Sequence, residues 1–350
     1  MTQTLQNKIE SIINRNPQAD DREIVFQLKQ LLYETELENS AVREAKNMAD
    51  LVAENLHQFK GETIKSDLIR SGFENFDTLF GGFRLGEFVV IGGRPAMGKT
   101  QLLINLSLNI SMTHPVLYAT LDLSDFLLTN RFIASVTEIP ANSILQLDLN
   151  EEQKNILSTV GNAFAKRQLF ISDSGNNSIA GLKTICQKQI QENGVKVIII
   201  DYLQLMSSFR HRGNRENEIS YISRELKNMA KEFNVCVIAS SQLSRAIENR
   251  SGAEGKRPLL SDLRDSGAIE QDADKVIFIT RPEYYGITED SKGNSLANLA
   301  EIVVAKNRNG RLGEFYLSRD KDFTNFRNHI EKKDFTFLVD RLLEIEDSPF

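Results

Sequence analysis

The stretch that most constrains the fold is residues 87–106, EFVVIGGRPAMGKTQLLINL. Its apolar start at 88–91 predicts a buried strand, and the leucines at 102, 103 and 106 recur at the spacing of a helix. Between the two, GRPAMGKT fits the pattern G-x-x-x-x-G-K-[ST]. A strand, a glycine-rich turn and a helix in this order form the arrangement that a phosphate-binding loop requires.

This loop predicts a nucleoside triphosphate site. Glycines let backbone N–H groups surround a β-phosphate, and the helix N-terminus adds the positive end of its dipole. Lys99 is expected to reach the β- and γ-phosphates, and the Thr100 hydroxyl to ligate Mg²⁺. A turn with a chance Gly-Lys-Thr is the alternative, which the flanking strand and helix disfavour. The predicted nucleotide-binding residues are Gly93, Arg94, Pro95, Ala96, Met97, Gly98, Lys99 and Thr100.

The composition, 41% hydrophobic and 26% charged over 350 residues, is ordinary for a soluble globular protein. No apolar run has membrane-spanning length and the N-terminus does not begin a signal peptide, so we predict a cytoplasmic protein with no membrane contact. Cys186 and Cys236 are expected as buried free thiols in a reducing compartment. The net charge of −6 neither indicates nor excludes a nucleic-acid partner, because binding depends on where the basic residues lie.

Strand-like and helix-like segments alternate after the loop. Apolar runs at 116–121, 168–172, 197–200 and 235–239 predict strands, and helices are expected at 150–166, 178–192 and 215–233. This alternation predicts an α/β fold with a mostly parallel sheet and helices on both faces. Segments 276–280, 300–305 and 315–318 are expected to extend the sheet with hairpins.

Three regions are predicted along the chain. Residues 1–60 contain no glycine and one proline, and their apolar positions predict a small helical segment that packs on the main domain or a neighbouring subunit. A loosely ordered acidic arm is the alternative. Residues 61–329 form the main domain, and 330–350 a tail with no assigned role.

Two polar residues follow the central strands. Asp201 directly follows the apolar run at 197–200, at the edge where α/β sheets bind ligands. It is expected to hold Mg²⁺. Gln242 follows the run at 235–239 and is expected to sense the γ-phosphate. The alternatives are an aspartate that only caps its strand and an ordinary loop glutamine.

Five motifs in order resemble those of the bacterial replicative DNA helicases of DnaB type. They are the phosphate loop at 93–100, DYLQLM at 201–206, SQLSR at 241–245, SDLRDSGAIEQDAD at 261–274 and KNRNG at 306–310. The resemblance, from about residue 40 to about residue 328, implies a RecA-like P-loop NTPase core that uses ATP and Mg²⁺. It also implies a ring, usually a hexamer, that hydrolyses ATP at subunit interfaces and moves 5′ to 3′ along single-stranded DNA in replication.

The resemblance assigns further catalytic residues. Lys306 and Arg308 match paired basic residues that reach a neighbouring subunit's site, where an arginine finger accelerates hydrolysis about 10³–10⁵-fold. A solvated basic hairpin is the alternative. Where the family has a catalytic glutamate, this chain has Asp122, which is one methylene shorter. The shorter side chain places the carboxylate farther from the attacking water. We therefore expect hydrolysis to be slower, by up to ~10²-fold.

DNA contacts are expected from two loops that face the ring channel. Guanidinium groups on flexible loops suit contact with a phosphate backbone that is read without regard to sequence. Mobile surface loops are the alternative. The first loop, 207–217, carries Arg210, Arg212 and Arg215, and the second, 244–266, carries Arg245, Arg250 and Arg264. Arg264, Asp265 and Gly267 match the family's strand-contacting position.

The N-terminal region departs from the family pattern. Members carry a helical collar of roughly a hundred residues that contacts primase, whereas this chain has about forty residues before the helix at 41–59 that matches the family's linker. Primase docking is therefore not expected to carry over, while a helicase loader stays a candidate partner. Two alternatives remain: a nucleotide-switched accessory protein that binds single-stranded DNA or forms a ring but hydrolyses little, and another RecA-like ATPase of KaiC-like or recombinase-like type.

Overall fold

A computed structural model describes residues 7–12, 23–24, 27–28, 31, 47–50, 52, 68–173, 175, 177–208, 213–263 and 267–329. The chain divides into two compact units, Met1–Lys65 and Ser66–Phe350. In the first unit the described residues 7–12, 23–24, 27–28, 31, 48–50 and 52 are helical. Residues 61–67 and the predicted tail at 330–350 lie outside the described residues, and the predicted boundary at residue 60 stays a prediction.

A nine-stranded sheet dominates the described part of the second unit, in the order β11-β10-β9-β8-β3-β7-β6-β4-β5. The six strands from β8 to β5 are parallel, and β9, β10 and β11 add antiparallel hairpins. The strands are β3 (Phe88–Gly93), β4 (Val116–Thr120), β5 (Leu169–Ser172), β6 (Val197–Asp201), β7 (Cys236–Gln242), β8 (Lys275–Thr280), β9 (Leu299–Asn307), β10 (Gly313–Arg319) and β11 (Phe326–Asn328), beside a two-stranded sheet of β1 (Leu68–Ile69) and β2 (Phe83–Arg84).

Helices cover both faces of the sheet, as the alternation predicts. Because side chains alternate along a strand, Val89 and Ile91 of β3 pack with α1, α2 and α3, while Phe88 and Val90 pack with α6, α7 and α9. The helices are α1 (Glu74–Phe80), α2 (Lys99–Ile110), α3 (Asp125–Thr137), α4 (Ala141–Gln146), α5 (Glu151–Ala165), α6 (Ile179–Asn193), α7 (Arg215–Phe233), α8 (Gly252–Gly255) and α9 (Gly267–Asp272).

Short 3₁₀ helices lie at Leu203–Leu205, Arg245–Asn249, Leu260–Asp262 and Pro282–Tyr285. Cys186 and Cys236 are buried free thiols, as predicted, and burial raises the pKa of Cys186 to about 12. Among the described helices, none combines the length and the apolar character needed to cross a membrane.

The strand directions separate two edges of the sheet. The carboxyl ends of β3, β4, β6 and β7 lie together at one edge, where crevices of α/β sheets bind ligands. Strand β9 runs the other way, so Glu301 pairs with Thr280 at this carboxyl edge and Lys306 pairs with Val276 near the amino edge. Lys306 therefore lies at the opposite edge of the sheet from the ends of β4 and β7, which Asp122 follows and Gln242 forms.

Candidate functional site

The phosphate loop joins the end of β3 to the start of α2, and both of its motif glycines are required by the local geometry. Gly98 caps α2 with φ 101°, and a Cβ there would lie 2.7 Å from a ring carbon of Phe323. A Cβ on Gly93 would lie 3.0 Å from the Ile279 carbonyl oxygen. The loop therefore runs close against its neighbours, and the first backbone N–H groups of α2 are available to a ligand.

The Lys99 ammonium group lies inside this loop. Its Nζ donates to the Arg94 carbonyl oxygen at 3.1 Å. Burial lowers the pKa of Lys99 to about 8. The negative charge of Asp201 opposes this change and raises the pKa, while the Arg94 guanidinium lowers it further. A partly buried ammonium with one backbone acceptor is a strong attractant for an anion such as a phosphate.

Asp201, the last residue of β6, is buried at 5% exposure and faces two hydroxyl groups. Ser240 Oγ donates to Asp201 Oδ1 at 2.6 Å, and Tyr118 Oη donates to Oδ2 at 3.1 Å. Burial, then the neighbouring Asp201 charge, raises the pKa of Tyr118 well above its ordinary value, so this phenol stays a donor. The carboxylate of Asp201 and the half-buried hydroxyl of Thr100 are oxygen ligands of the type that Mg²⁺ prefers, so the residues present fit this ion.

Asp122 lies just beyond β4 at the same edge. Thr120 pairs with Asp201 across the two strands, and the Leu121 N–H donates to the Asp201 carbonyl oxygen at 2.9 Å. The Thr120 hydroxyl accepts from the Leu123 N–H at 3.1 Å, which closes a turn around Asp122. The Asp122 side chain is exposed. The pKa of Tyr202 is raised first by the burial of Tyr202 itself and then by the nearby negative charge of Asp122. The structure thus brings Asp122 and Asp201 to neighbouring strand ends.

The position predicted for Gln242 is wrong in one respect: it is the last residue of β7 rather than part of a loop after that strand. The strand is longer than its apolar run because Gln242 pairs with Gly93 in the parallel register. Gln204 holds this end of β7, since its Oε1 accepts from the Gln242 N–H at 3.0 Å and its Nε2 donates to Ser241 Oγ at 2.8 Å. The sequence motif contains Gln204 but does not reveal this contact.

Lys306 and Arg308 lie at the amino edge, held by the end of α9. Lys306 donates to the carbonyl oxygens of Glu270 and Gln271, and Arg308 donates to that of Gln271. Such contacts satisfy carbonyl groups that a helix end leaves free. Burial, followed by the nearby Arg308 charge, lowers the pKa of Lys306.

Asp274 fixes the position of Arg308 relative to its own phosphate loop. Arg308 Nη1 lies 3.3 Å from Asp274 Oδ1, and Asp274 Oδ2 accepts from the Phe88 N–H at 2.8 Å. Phe88 is the first residue of β3, whereas the phosphate loop begins at the last, Gly93. Five residues at about 3.3 Å each put roughly 16 Å along the strand between these levels, which is farther than an arginine side chain extends.

The predicted DNA-contacting residues differ in their surroundings. Arg215 is not in a loop, because the Asn214 side chain accepts from the Asn217 N–H and caps α7, so that α7 begins at Arg215. Its guanidinium donates to Glu218 at 2.5 Å and to the Gln204 carbonyl oxygen at 2.6 Å.

The second predicted loop is also not a plain loop, since it contains α8 and two 3₁₀ helices. There, Arg250 pairs with Asp262, Arg245 is exposed on its 3₁₀ helix, and Gly267 begins α9. Arg210, Arg212, Arg264 and Asp265 lie outside the described residues.

Comparisons with known proteins agree with this geometry. The family described as "DnaB-like helicase C terminal domain" matches residues 69–328. The chain is 38% identical over 295 residues to the replicative DNA helicase DnaB of Rickettsia typhi, covering 77% of this chain and 59% of the relative. It is 36% identical over 278 residues to the replicative DNA helicase DnaC of Bacillus subtilis, covering 79% and 59%. The chain thus spans about three fifths of these relatives.

Two solved structures share the fold. One is an isolated ATPase domain with a TM-score of 0.74 and 32% identity, covering 82% of this chain and all of that domain. The other is a DnaB-like replicative helicase, described with its interactions with primase, with a TM-score of 0.74 and 30% identity, covering 94% of this chain and 76% of that one. By its sequence and its α/β fold, the chain belongs to the DnaB-like helicase C-terminal domain family, whose ATPase domain uses a nucleotide.

Proposed function

We propose that this chain works as an ATP-driven helicase or translocase that forms a ring on single-stranded DNA, moves 5′ to 3′ and acts in DNA replication. One observation carries the proposal: Lys306 and Arg308 lie at the opposite sheet edge from their own phosphate loop. This position supports a role for both residues at the phosphate loop of a neighbouring copy, and a closed ring, such as a hexamer, gives every loop such a neighbour.

The cations beside the loop support this need for a second copy. Arg94 lies 2.6 Å from Glu248, and Arg281 lies 3.1 Å from Glu283. Both guanidinium groups are thus engaged with carboxylates of the same chain, and in the part of the chain that the structure describes Lys99 is the loop cation proposed to face the phosphates. An arginine and a lysine from a neighbour would neutralise charge that develops on the transferring phosphoryl group.

Each residue at the carboxyl edge has a proposed role. Lys99 and the loop N–H groups bind the phosphates of ATP, Thr100 and Asp201 hold Mg²⁺, Asp122 accepts a proton from the attacking water, and Gln242 senses the γ-phosphate. When bound, Mg²⁺ neutralises charge on the phosphates. Tyr118 and Ser240 keep the Asp201 carboxylate in place through its two oxygens.

Asp122 sets the proposed rate of hydrolysis. Its carboxylate stands one methylene closer to the backbone than a glutamate would, so the distance to the attacking water increases. A general base acts within about 2.6–3.2 Å of its partner. We therefore propose that hydrolysis is slower than it would be with a glutamate at this position.

Single-stranded DNA is the proposed track. Arg245 is the best supported contact, because its side chain is exposed and, among the described residues, no hydrogen bond or ion pair engages it. Arg215 and Arg250 have partners within the chain and would have to exchange them for DNA phosphates. Arg210, Arg212, Arg264, Asp265 and Gly267 stay proposed contacts. A helicase loader and a cytoplasmic location stay predictions, and primase docking is not proposed.

The test is steady-state ATP hydrolysis with and without single-stranded DNA, followed by strand displacement on a forked duplex. We expect DNA to stimulate hydrolysis and ATP to drive displacement of the duplex strand. Because Asp122 has a shorter reach, the second candidate is a nucleotide-switched DNA-binding protein that hydrolyses little. Nucleotide-dependent DNA binding without displacement would favour this second candidate, and failure to bind single-stranded DNA at low salt would contradict both.

A further inference from the structure

The segment between β7 and α9, residues 243–263, forms a closed module. Leu243 and Leu263 pair as an antiparallel bridge, and the Ser244 N–H donates to the Asp262 carbonyl oxygen at 2.8 Å, which closes the neck. Inside the module, Arg250 pairs with the buried Asp262 and donates to the Arg257 carbonyl oxygen at 3.3 Å. These contacts give the segment a defined shape, so a displacement of one part also displaces the parts that it contacts.

Glu248 connects this module to the phosphate loop. Its Oε1 accepts from Arg94 Nε at 2.8 Å and from Nη2 at 2.6 Å, while Arg94 Nη1 donates to the Leu243 carbonyl oxygen at 2.9 Å. The Arg94 side chain is only 7% exposed and the Glu248 side chain is 44% exposed, so one partner of these charge-assisted bonds is buried and the other meets water. On the other side of the module, Lys256 Nζ donates to the Glu248 carbonyl oxygen at 2.7 Å.

The connection continues from Arg94 to the nucleotide site. The Arg94 carbonyl oxygen is the acceptor for Lys99 Nζ at 3.1 Å. A displacement of Arg94 therefore changes the position of the ammonium group that is proposed to bind phosphate. At the module end, Glu248 lies three residues after the exposed Arg245 on the same 3₁₀ helix. Because a 3₁₀ helix has three residues per turn, both side chains leave the same side of it.

We propose that Glu248 is a positioning residue that couples the two sites: by holding Arg94, it makes nucleotide binding at Lys99 and single-stranded DNA binding at Arg245 depend on each other. The inference rests on the proposed function and adds the residue that links its two ligands. Coupling between binding sites is reciprocal, so each ligand changes the affinity for the other by the same factor, typically about 5–150-fold.

The experiment measures this factor in the full chain. The dissociation constant of a fluorescent, non-hydrolysable ATP analogue is determined with and without a saturating thymidine oligonucleotide, and that of the oligonucleotide with and without the analogue. We expect the wild-type ratio to be at least about fivefold and the ratio in Glu248→Gln to approach one. The substituted carboxylate is 44% exposed, and thermal unfolding verifies that the variant is folded.

Three further variants separate coupling from a general structural role. Glu248→Asp keeps a carboxylate for Arg94 and is expected to restore part of the ratio. Arg94→Lys removes the two-nitrogen contact with Glu248 and should reduce the ratio as Glu248→Gln does. The double variant should show no further reduction, because both substitutions remove the same contact. Glu152→Gln removes an exposed carboxylate of α5 and serves as the matched control.

The outcomes distinguish this inference from the proposed function. A wild-type ratio retained in Glu248→Gln overturns the coupling role while DNA binding and the proposed function stand. A wild-type ratio of one also overturns it. Absence of oligonucleotide binding by the wild type at low salt contradicts the proposed function itself, and the inference with it.

Discussion

The two edges of the parallel sheet hold their charged groups in different ways. At the carboxyl edge, the Lys99 ammonium has one backbone acceptor and is attracted by the Asp201 charge, in an arrangement open to a phosphate ligand. At the amino edge, Lys306 and Arg308 bind the carbonyl oxygens that end α9, and Arg308 also pairs with Asp274. One edge is the proposed nucleotide site, and the other presents cations with no phosphate site beside them among the described residues. This difference supports the proposal that hydrolysis requires both edges, from two copies.

The largest effect is expected at the amino edge. Arg308→Ala removes the proposed trans-acting guanidinium, so kcat for DNA-stimulated hydrolysis should fall by about 10³–10⁵-fold while nucleotide affinity changes little. Steady-state hydrolysis and titration with an ATP analogue measure the two quantities. Arg311→Ala, in the same hairpin, removes a guanidinium that donates to the Leu79 carbonyl oxygen and is the control. A kcat of Arg308→Ala within tenfold of the wild-type value would show that Arg308 does not take part in the reaction.

The next effect is expected at the carboxyl edge. Asp122→Glu lengthens the side chain toward the attacking water and should raise the rate of DNA-stimulated hydrolysis, by up to ~10²-fold. The comparison is made at saturating ATP, with Asp125→Glu as a control on a neighbouring exposed aspartate. An unchanged or lower rate in Asp122→Glu would mean that the shorter aspartate does not limit hydrolysis.

Nucleotide affinity at the carboxyl edge should depend on pH, because the ammonium group of Lys99 titrates there. The pKa of Lys99 is lowered to about 8 in the free protein, and a bound triphosphate stabilises its protonated form, so the bound pKa is higher. Binding therefore takes up a proton above pH 8, and affinity should fall as pH rises through 8, by up to about tenfold per pH unit. Analogue titrations between pH 7 and 9.5, in excess Mg²⁺, measure this; a Lys99→Arg variant, which stays charged, should show a flatter profile. A constant wild-type affinity is the contrary result.

An effect on stability is expected at the support of Asp201. Tyr118→Phe removes a buried hydroxyl that donates to Asp201 Oδ2 at 3.1 Å and leaves Ser240 on the other oxygen. The free energy of unfolding should fall by about 1.5–3 kcal/mol, the value of a hydrogen bond to a charged group. Urea unfolding measures it, with Tyr284→Phe, a change at a tyrosine that is 53% exposed, as the control. Equal stability of the two variants would show that the Tyr118 hydroxyl contributes nothing.

Local patterns predict single strands and the phosphate loop better than they predict pairings between distant parts of the chain. The apolar runs and glycine spacing are properties of adjacent residues, and they predict where β3 and β6 begin, the phosphate loop and the presence of a helix after it. The end of β7 is different, because Gln242 belongs to the strand only through its pairing with Gly93, which lies far away in the sequence.

Partners distant in the sequence explain the remaining differences. Tyr118 and Asp201 are 83 residues apart, and Arg94 and Glu248 are 154 apart, so no local pattern reveals their contacts. Arg215 and Arg250 are basic residues close to glycines, which favours exposed loops, yet carboxylates and carbonyl oxygens of the folded chain bind both. A charge pattern predicts where cations are, whereas the fold decides which of them are free for a ligand.

Completion of one copy's carboxyl edge by the amino edge of another is tested most directly by complementation. Two variants that are each expected to be inactive, Lys99→Ala and Arg308→Ala, are mixed, and DNA-stimulated ATP hydrolysis is measured, with the native mass of the mixture as proof of joint assembly. The mixture is expected to regain activity, since an intact loop then meets an intact Arg308 from its neighbour. A mixture that assembles together but stays as inactive as its components would show that the two edges do not act in one site.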